Sequence, residues 1–334
     1  MIVSGALAPS GASASGPSTP TAPLPLGLAS AQQDEVAPAA VGDRIQRSSS
    51  RSRDLTGDGW PDVLAREPGQ RSGALWVFTH SGNPQGNVFS AKTLVGTNWN
   101  TITWIGVAEL TGDTPEYEDA AEEPADILAR RNDGTLLIYP HSGGLNGINT
   151  WLTPVVVGTN WNIYEKMFLA DINSDGYEDI IGLDYDDLSV YLYLHSGTFN
   201  GKSTYRPRTH LFSGTGFDVN NWSFFTEWSR ENPDVLDILL GGTGTAHRHT
   251  GRVNGASTWD LDHPWEWPVA DQFSRETTLY ISLLDVNGDG KNDVVKTTPG
   301  GALLYFPVRG WGASPPLGPP VQIGNGWQVM DLIT

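Results

Sequence analysis

The chain contains no cysteine and only 3 methionines in its 334 residues. The first absence excludes a disulfide framework and thiolate metal sites, and it leaves the compartment open. No apolar run approaches the roughly 20 residues of a membrane helix, so membrane insertion is not expected. Positive charge is scarce as well: 20 Lys and Arg stand against 38 Asp and Glu, a net charge of -18. With no basic stripe to displace phosphate counterions, a nucleic-acid partner is not expected either. Long helical periodicity is missing from the body of the chain. So are a nucleophile elbow, a zincin helix, a phosphate loop and a dinucleotide fingerprint. Enzymatic function, and with it any catalytic residue, is therefore not expected. Asp184, Asp186, Asp187, Asp260 and Asp262 read as solvated loop clusters.

What the chain does contain is repetition. An aspartate-rich loop, a strand opening with Asp, a short apolar strand ending in His-Ser-Gly and a Val-Gly-Thr-Asn-Trp segment recur about every 55 to 60 residues. Asp54, Glu109, Asp171, Glu227 and Asp285 open the successive copies. Such self-similarity marks units too small to bury their own apolar faces, which must stack on their neighbours. Within one copy, Ile105–Ala108, Asp126–Ala129, Thr135–Tyr139 and Pro154–Gly158 are short runs rich in β-branched or aromatic residues and bounded by Gly, Asn or Asp. That is strand character, and four short strands per copy make a propeller blade. The expected fold is all-β: a β-propeller of five four-stranded blades over residues 44–334. The segment Trp327–Thr334 repeats the lead-in to a blade that does not follow, so it is expected to supply the inner strand of the first blade and close the ring.

Residues 1–43 hold no Lys or Arg and are dominated by Ala, Pro, Ser and Gly. That composition cannot bury enough apolar surface to offset chain entropy, so residues 1–43 read as a disordered tail, in which the remnant of an export signal is one candidate. Arg44, Arg47, Arg51 and Arg53 then sit among serines and read as a solvated linker.

The loop pattern Asp-x-Asn/Thr-x-Asp-Gly-x-x-Asp followed by a strand resembles the FG-GAP or VCBS-type repeats of integrin-α-like propellers, especially those of secreted actinobacterial lectin-like proteins. The match spans residues 54–334. It is sharp in copies one, three and five, weaker in two and four, and lacks the literal Phe-Gly/Gly-Ala-Pro signature. The resemblance implies a propeller fold, calcium and an extracellular location. It does not imply a defined activity.

The acidic loops are candidate calcium sites, about three in number. Copy three offers Asp171, Asn173, Asp175 and Asp179 at loop positions 1, 3, 5 and 9, with the Tyr177 carbonyl at position 7. Copy five repeats this with Asp285, Asn287, Asp289, Lys291 and Asp293, and copy one with Asp54, Thr56, Asp58, Trp60 and Asp62. Calcium takes six to eight hard oxygens in adaptable geometry, and crowded carboxylates need a cation to cancel their repulsion. Copy two starts with Glu109, Thr111 and Asp113, but an insertion precedes Asp126, and its occupancy is open. Copy four, with Glu227, Ser229 and Glu231 before Asp234 or Asp237, is expected to be empty.

A second constellation recurs in four copies: His80, Gln85 and Phe89; His141, Asn146 and Trp151; His195, Asn200 and Tyr205; His249, Asn254 and Trp259. An imidazole, an amide and an aromatic face converging on one loop would suit a sugar. The other reading is a turn at Gly82, Gly143, Gly197 and Gly251 whose His and aromatic pack between blades. Trp99, Trp161, Trp222 and Trp327 read as inter-blade core. The expected function is a secreted, calcium-stabilised module for multivalent recognition of glycans or cell-surface polysaccharide. The alternative is a protein-interaction scaffold or a subunit of an extracellular assembly.

Overall fold

The computed structural model describes residues 53–111, 124–173, 175, 177–184, 186–213, 223–226, 237–240, 245–263, 265–266, 273, 278–309 and 317–334; residue 90 and residues 223–226, 237–240, 245–246 and 265–266 are described by backbone alone. The expected tail, most of the linker, the copy-two insertion, Trp222 and the acidic loop of copy four through Asp234 lie outside these residues.

The described strands form five four-stranded antiparallel sheets, giving an all-β propeller architecture. The first holds β1 (Val63–Glu67), β2 (Ala74–His80) and β3 (Phe89–Gly96), and the second β4 (Ile102–Ala108), β5 (Asp126–Arg131), β6 (Leu136–Tyr139) and β7 (Val155–Gly158). Next come β8 (Tyr164–Ala170), β9 (Asp179–Asp184), β10 (Ser189–Tyr193) and β11 (Thr209–Ser213), then β12 (Ser223–Thr226), β13 (Asp237–Leu240), β14 (Thr245–His247) and β15 (Trp265–Glu266). The last sheet is β16 (Tyr280–Leu284), β17 (Asp293–Thr297), β18 (Leu303–Phe306) and β19 (Val321–Gly324). The C-terminal strand β20 (Leu332–Ile333) completes the first sheet against β1, pairing Ala65 with Ile333 and Arg66 with Leu332. The first strands neighbour one another in the order β16, β20, β4, β8 and β12.

Four hydrophobic clusters fill the seams between neighbouring sheets. One joins Leu128 and Ile138 to Tyr164, Met167 and Ile180; another joins Ala65 and Phe89 to Leu284, Val295 and Trp327. Each fully buried aliphatic side chain stabilises such a seam by about 1.5 to 3 kcal/mol. The Val-Gly-Thr-Asn-Trp segment has a steric reason. The indoles of Trp99, Trp161 and Trp327 lie where a Cβ on Gly96, Gly158 or Gly324 would project, so only glycine admits the ring three residues later. All three tryptophans are buried.

Ring closure is reinforced by one arginine. Arg66 is buried; its Nε donates to Asp331 Oδ1 at 2.7 Å, its Nη2 pairs with the same carboxylate, and its Nη1 donates to the Trp99 and Ile102 carbonyls. Arg130 donates likewise to the Trp161 and Tyr164 carbonyls one copy later, without an acid from the C-terminus. Arginine at this strand position thus caps the turn that leads into the next sheet.

Candidate functional site

In copies two to five the acidic loop joins the first strand of a sheet to the second, in copy one it leads into the second strand, and the His-Ser-Gly loop joins the third to the fourth. In an antiparallel sheet both connections fall at the same end. The two recurring loop types therefore share one face of the ring.

Each acidic loop is wound around its first carboxylate. Asp54 Oδ1 accepts the amides of Thr56 (2.9 Å) and Gly57 (2.7 Å), and Oδ2 accepts that of Gly59 (2.6 Å). Gly57 and Gly59 sit at φ 77° and 85°, which the winding requires. In copy five Asp285 Oδ1 and Asn287 Oδ1 both accept the Asp289 amide, at 3.0 and 2.8 Å, while Asp285 Oδ2 accepts that of Gly290 at 2.8 Å. Copy three repeats the first two bonds, with Asp171 and Asn173 receiving the Asp175 amide at 3.1 and 3.0 Å. Positions 1, 3 and 5 are thus brought together in copies three and five. Among the described residues, no three His, Asp or Glu side chains converge into a cage.

Position 9 has a second role that spacing alone does not show. Asp62 is buried and clamps two segments: Oδ2 accepts the Leu55 amide and Oδ1 the His80 amide, both at 2.9 Å. Asp126 holds Leu110 (3.0 Å) and His141 (2.7 Å), and Asp179 holds Ile172 (3.2 Å) and His195 (2.7 Å). Asp293 receives the Val308 amide at 3.0 Å. The aspartate therefore ties the acidic loop to the His-Ser-Gly loop of its own sheet. Burial pushes these carboxyls up, to about 7 for Asp62 and Asp293 and about 6 for Asp126. Asp179 is raised by burial first and then by the charges of Asp171 and Asp175.

The histidines carry the link on to the neighbouring sheet. Nδ1 of His80, His141, His195 and His249 accepts the amide of Gly82, Gly143, Gly197 and Gly251 at 2.9 to 3.0 Å. An Nδ1 that accepts is unprotonated, so the ring proton of the neutral imidazole is on Nε2. His80 Nε2 donates to the Val286 carbonyl at 3.1 Å, crossing from the first sheet to the acidic loop of the last. His141 and His195 turn toward the Leu55 and Leu110 carbonyls, each the second residue of the preceding acidic loop, but their Nε2 atoms are buried without a hydrogen bond of normal geometry. Burial lowers all four histidines, His141 and His249 to about 4.

Packing completes the latch. The Trp60 and Tyr177 rings, at loop position 7, stack on His80 (4.5 Å, 3°) and His195 (4.9 Å, 8°). That role falls to the side chain of a position singled out in the sequence only for its carbonyl; its signal was an aromatic at position 7 in the copies whose histidine is stacked. The edge of each imidazole meets the recurring aromatic: Phe89, Trp151, Tyr205 and Trp259 lie 5.2 to 5.7 Å from their histidines at 88° to 90°.

This arrangement favours the other reading of the constellation, a turn whose His and aromatic pack between blades. Phe89 (9%), Tyr205 (8%) and Trp259 (1%) expose almost no ring, His80, His195 and His249 are buried with them, and only His141 and Trp151 are half-exposed. The amides do not converge on the rings. Asn146, Asn200 and Asn254 are exposed at the start of short 3-10 turns, and Gln85 is exposed on its loop. Those turns pack backward: Gly147 lies against the Leu94 carbonyl, Gly201 against Val156 and Gly255 against His210 and Leu211. In copy five Val308 pairs with Leu317, an apolar bridge at the place where the other copies put histidine and an aromatic.

No family model matches the chain, and no curated protein matches it. Among solved structures it is similar to the crystal structure of BBS1N in complex with ARL6DN soaked with lead, at 10% identity over 83% of this chain and 68% of that chain, with a TM-score of 0.34. The same complex soaked with mercury is matched at 10% identity over 82% and 67%, with a TM-score of 0.31. Likeness this loose assigns neither function nor partner.

Proposed function

We propose that the chain is a non-catalytic interaction scaffold outside the cell: a ring of five blades, stiffened by calcium at the acidic loops of copies one, three and five, that docks protein partners on its rim. One observation carries the docking. Of the six exposed large hydrophobics among the described residues, four fall in one short stretch: Ile148 (65%), Leu152 (53%), Val156 (39%) and Ile163 (46%). Val156 lies on β7, the outermost strand of the second sheet, with Leu152 before it and Ile163 after it. Apolar side chains exposed along an outer strand and its flanking turns suit the docking of a protein partner.

Calcium is supported by donor chemistry. Asp, Asn and Thr oxygens at positions 1, 3 and 5 are hard ligands, and Asp62, Asp179 and Asp293 are raised first by burial and then by the charges of neighbouring carboxylates, a repulsion that a bound cation would cancel. The glycan reading has no comparable support, because its ring faces are buried. The experiment sets a displayed peptide library and a glycan array against the immobilised chain, with Ile148→Asn/Leu152→Asn/Val156→Asn as comparator. The scaffold predicts peptides that lose binding on the variant. Glycan binding indifferent to the variant, with no peptide selected, would overturn it.

A further inference from the structure

One part of the rim reverses the acidity of the chain. Residues 188–217 contain no Asp or Glu, in a chain with 38 of them, and hold Lys202, Arg206, Arg208 and His210. All four are exposed, on β11 and the loop that leads into it. Arg66 is paired with Asp331 and Arg131 with Asp133, whereas among the described residues no carboxylate comes within ion-pair distance of Arg208, and Asp187 acts on it only through charge at longer range.

Arg208 is nevertheless held in place. Its guanidinium carbon lies 4.1 Å over the Tyr191 ring, and Nη1 donates to the Tyr164 hydroxyl at 3.1 Å. Tyr191 is fixed in turn: its hydroxyl donates to Asp187 Oδ2 at 2.8 Å, and its ring meets His210 at 5.5 Å and 73°. His210 Nε2 pairs with Ser213 Oγ at 2.7 Å. A guanidinium stacked on Tyr191, bonded to the Tyr164 hydroxyl and flanked by that of Tyr193 is held in place and loses little freedom on binding an incoming acid with its remaining N–H groups.

We infer that Arg208, with Lys202, Arg206 and His210 around it, is an anion clamp that receives carboxylate side chains of an acidic segment of a partner protein. This rests on the scaffold reading above. A carboxylate matches the guanidinium fork with two parallel hydrogen bonds. The occupant is a polypeptide because of what adjoins the clamp. The turn holding Lys202 packs on β7, where Gly201 meets the Val156 carbonyl, so the clamp borders the strand that exposes Val156 and leads from Leu152. An acidic polysaccharide has no apolar side chains to cover those residues; a segment mixing aliphatic and acidic residues does. The strongly negative remainder of the chain repels the same segment elsewhere, so charge sets where it docks.

The test uses the full chain and three fluorescein-labelled probes: a short peptide alternating leucine and glutamate, its leucine–glutamine counterpart, and heparin. Binding is read by anisotropy at low and physiological salt. The clamp predicts that the glutamate peptide binds about tenfold or more tighter than the glutamine one. Arg208→Gln should erase that preference at an unchanged melting temperature, and Arg208→Lys should recover only part of it, since an ammonium keeps the charge and loses the fork. Equal binding of the two peptides, or a preference that survives Arg208→Gln, overturns the clamp and leaves the scaffold standing. Binding of heparin with neither peptide overturns both.

Discussion

The two loops that each repeat sends to one end of the ring are built from similar polar residues and do opposite things with them. In the His-Ser-Gly loops the imidazole, the aromatic ring and the turn glycine all pack inward, although Nε2 of His141 and His195, the Trp151 indole N–H and the Tyr205 hydroxyl are buried without a hydrogen-bond partner. Nδ1 takes the glycine amide, Nε2 of His80 crosses to the Val286 carbonyl, and the ring edges pack on Phe89, Trp151, Tyr205 and Trp259. In the acidic loops the first carboxylate organises the backbone, while Asp58 and Asp289 stay exposed, each accepting the amide two residues on, with Lys291 Nζ also 3.3 Å from Asp289 Oδ2. Residues that recur because blades must be joined look, in sequence, like residues that recur because a ligand must be held. The difference lies in which side of the ring contact they face.

The sharpest way to break this contrast is a pair of truncations. Trp259 is 1% exposed within the cluster of Leu192, Leu211 and Phe212, so Trp259→Ala should cost about 3 to 5 kcal/mol. Asp58→Ala, on an exposed loop, should change stability by less than about 0.5 kcal/mol when measured in chelator. Thermal melts decide it. Comparable losses from the two would mean that the acidic loop is as structural as the latch.

A smaller effect separates the loops by ligand. A few millimolar calcium should add about 1 to 2 kcal/mol per occupied loop, as expected of extracellular sites with dissociation constants of roughly 0.1 to 1 mM. Asp175→Ala and Asp289→Ala should each remove part of that gain, and Trp151→Ala should leave it whole. A melting curve unaffected by chelation would remove calcium from the scaffold.

Acidity pulls the two loop types in opposite directions. His141 and His249, held down to about 4 against an ordinary 6.5, remain unprotonated where the unfolded chain takes up protons. The stability they contribute is complete above 6.5 and is lost as pH falls through the range to about 4. Asp62 and Asp293, raised from 3.8 to about 7, behave the other way: their contribution is complete below 3.8 and is lost as pH rises through 7. Between about 4 and 6.5 the two slopes therefore oppose each other, so without calcium stability should vary little with pH over that range. Urea titrations across pH check this, and Asp62→Asn, which removes one falling contribution, should make stability rise with pH there.

The fold was legible because its signals are local: strands of two to eight residues, turn glycines, and a lead-in without a blade at the C-terminus. The seam tryptophans followed from the same pattern. The latch was not legible, since the partner of His80 is Val286, 206 positions away and a backbone carbonyl that has no sequence signature. Asp62 was singled out for its carboxylate and for the correct loop. Its binding to the His80 amide depends on how the third strand returns, which spacing within the loop does not encode. Arg208 was passed over because its value lies in Tyr191 and Tyr164, brought together by strand register and not by proximity in sequence.

The smallest expected effect bears on what is left of the sugar reading. Asn146, Asn200 and Asn254 are the parts of that constellation that remain exposed, and their side chains make no capping hydrogen bond to the 3-10 turns they begin. The work of holding each turn falls instead to Thr150, Thr204 and Thr258, whose hydroxyls accept the amides of the three asparagines at 2.9, 3.0 and 3.1 Å. Changing all three asparagines to alanine should therefore shift stability by less than about 0.5 kcal/mol per site. Changing Thr204 to valine, which leaves the Asn200 amide without its acceptor, should cost about 1 to 3 kcal/mol. If the triple asparagine variant melts with the parent and binds no differently on a glycan array, these amides are solvated turn residues and the face of the ring has no sugar site built from this set. If it loses glycan binding at unchanged stability, the exposed amides are the ligand groups after all, and recognition uses the outer surface of the latch whose inner surface joins the blades.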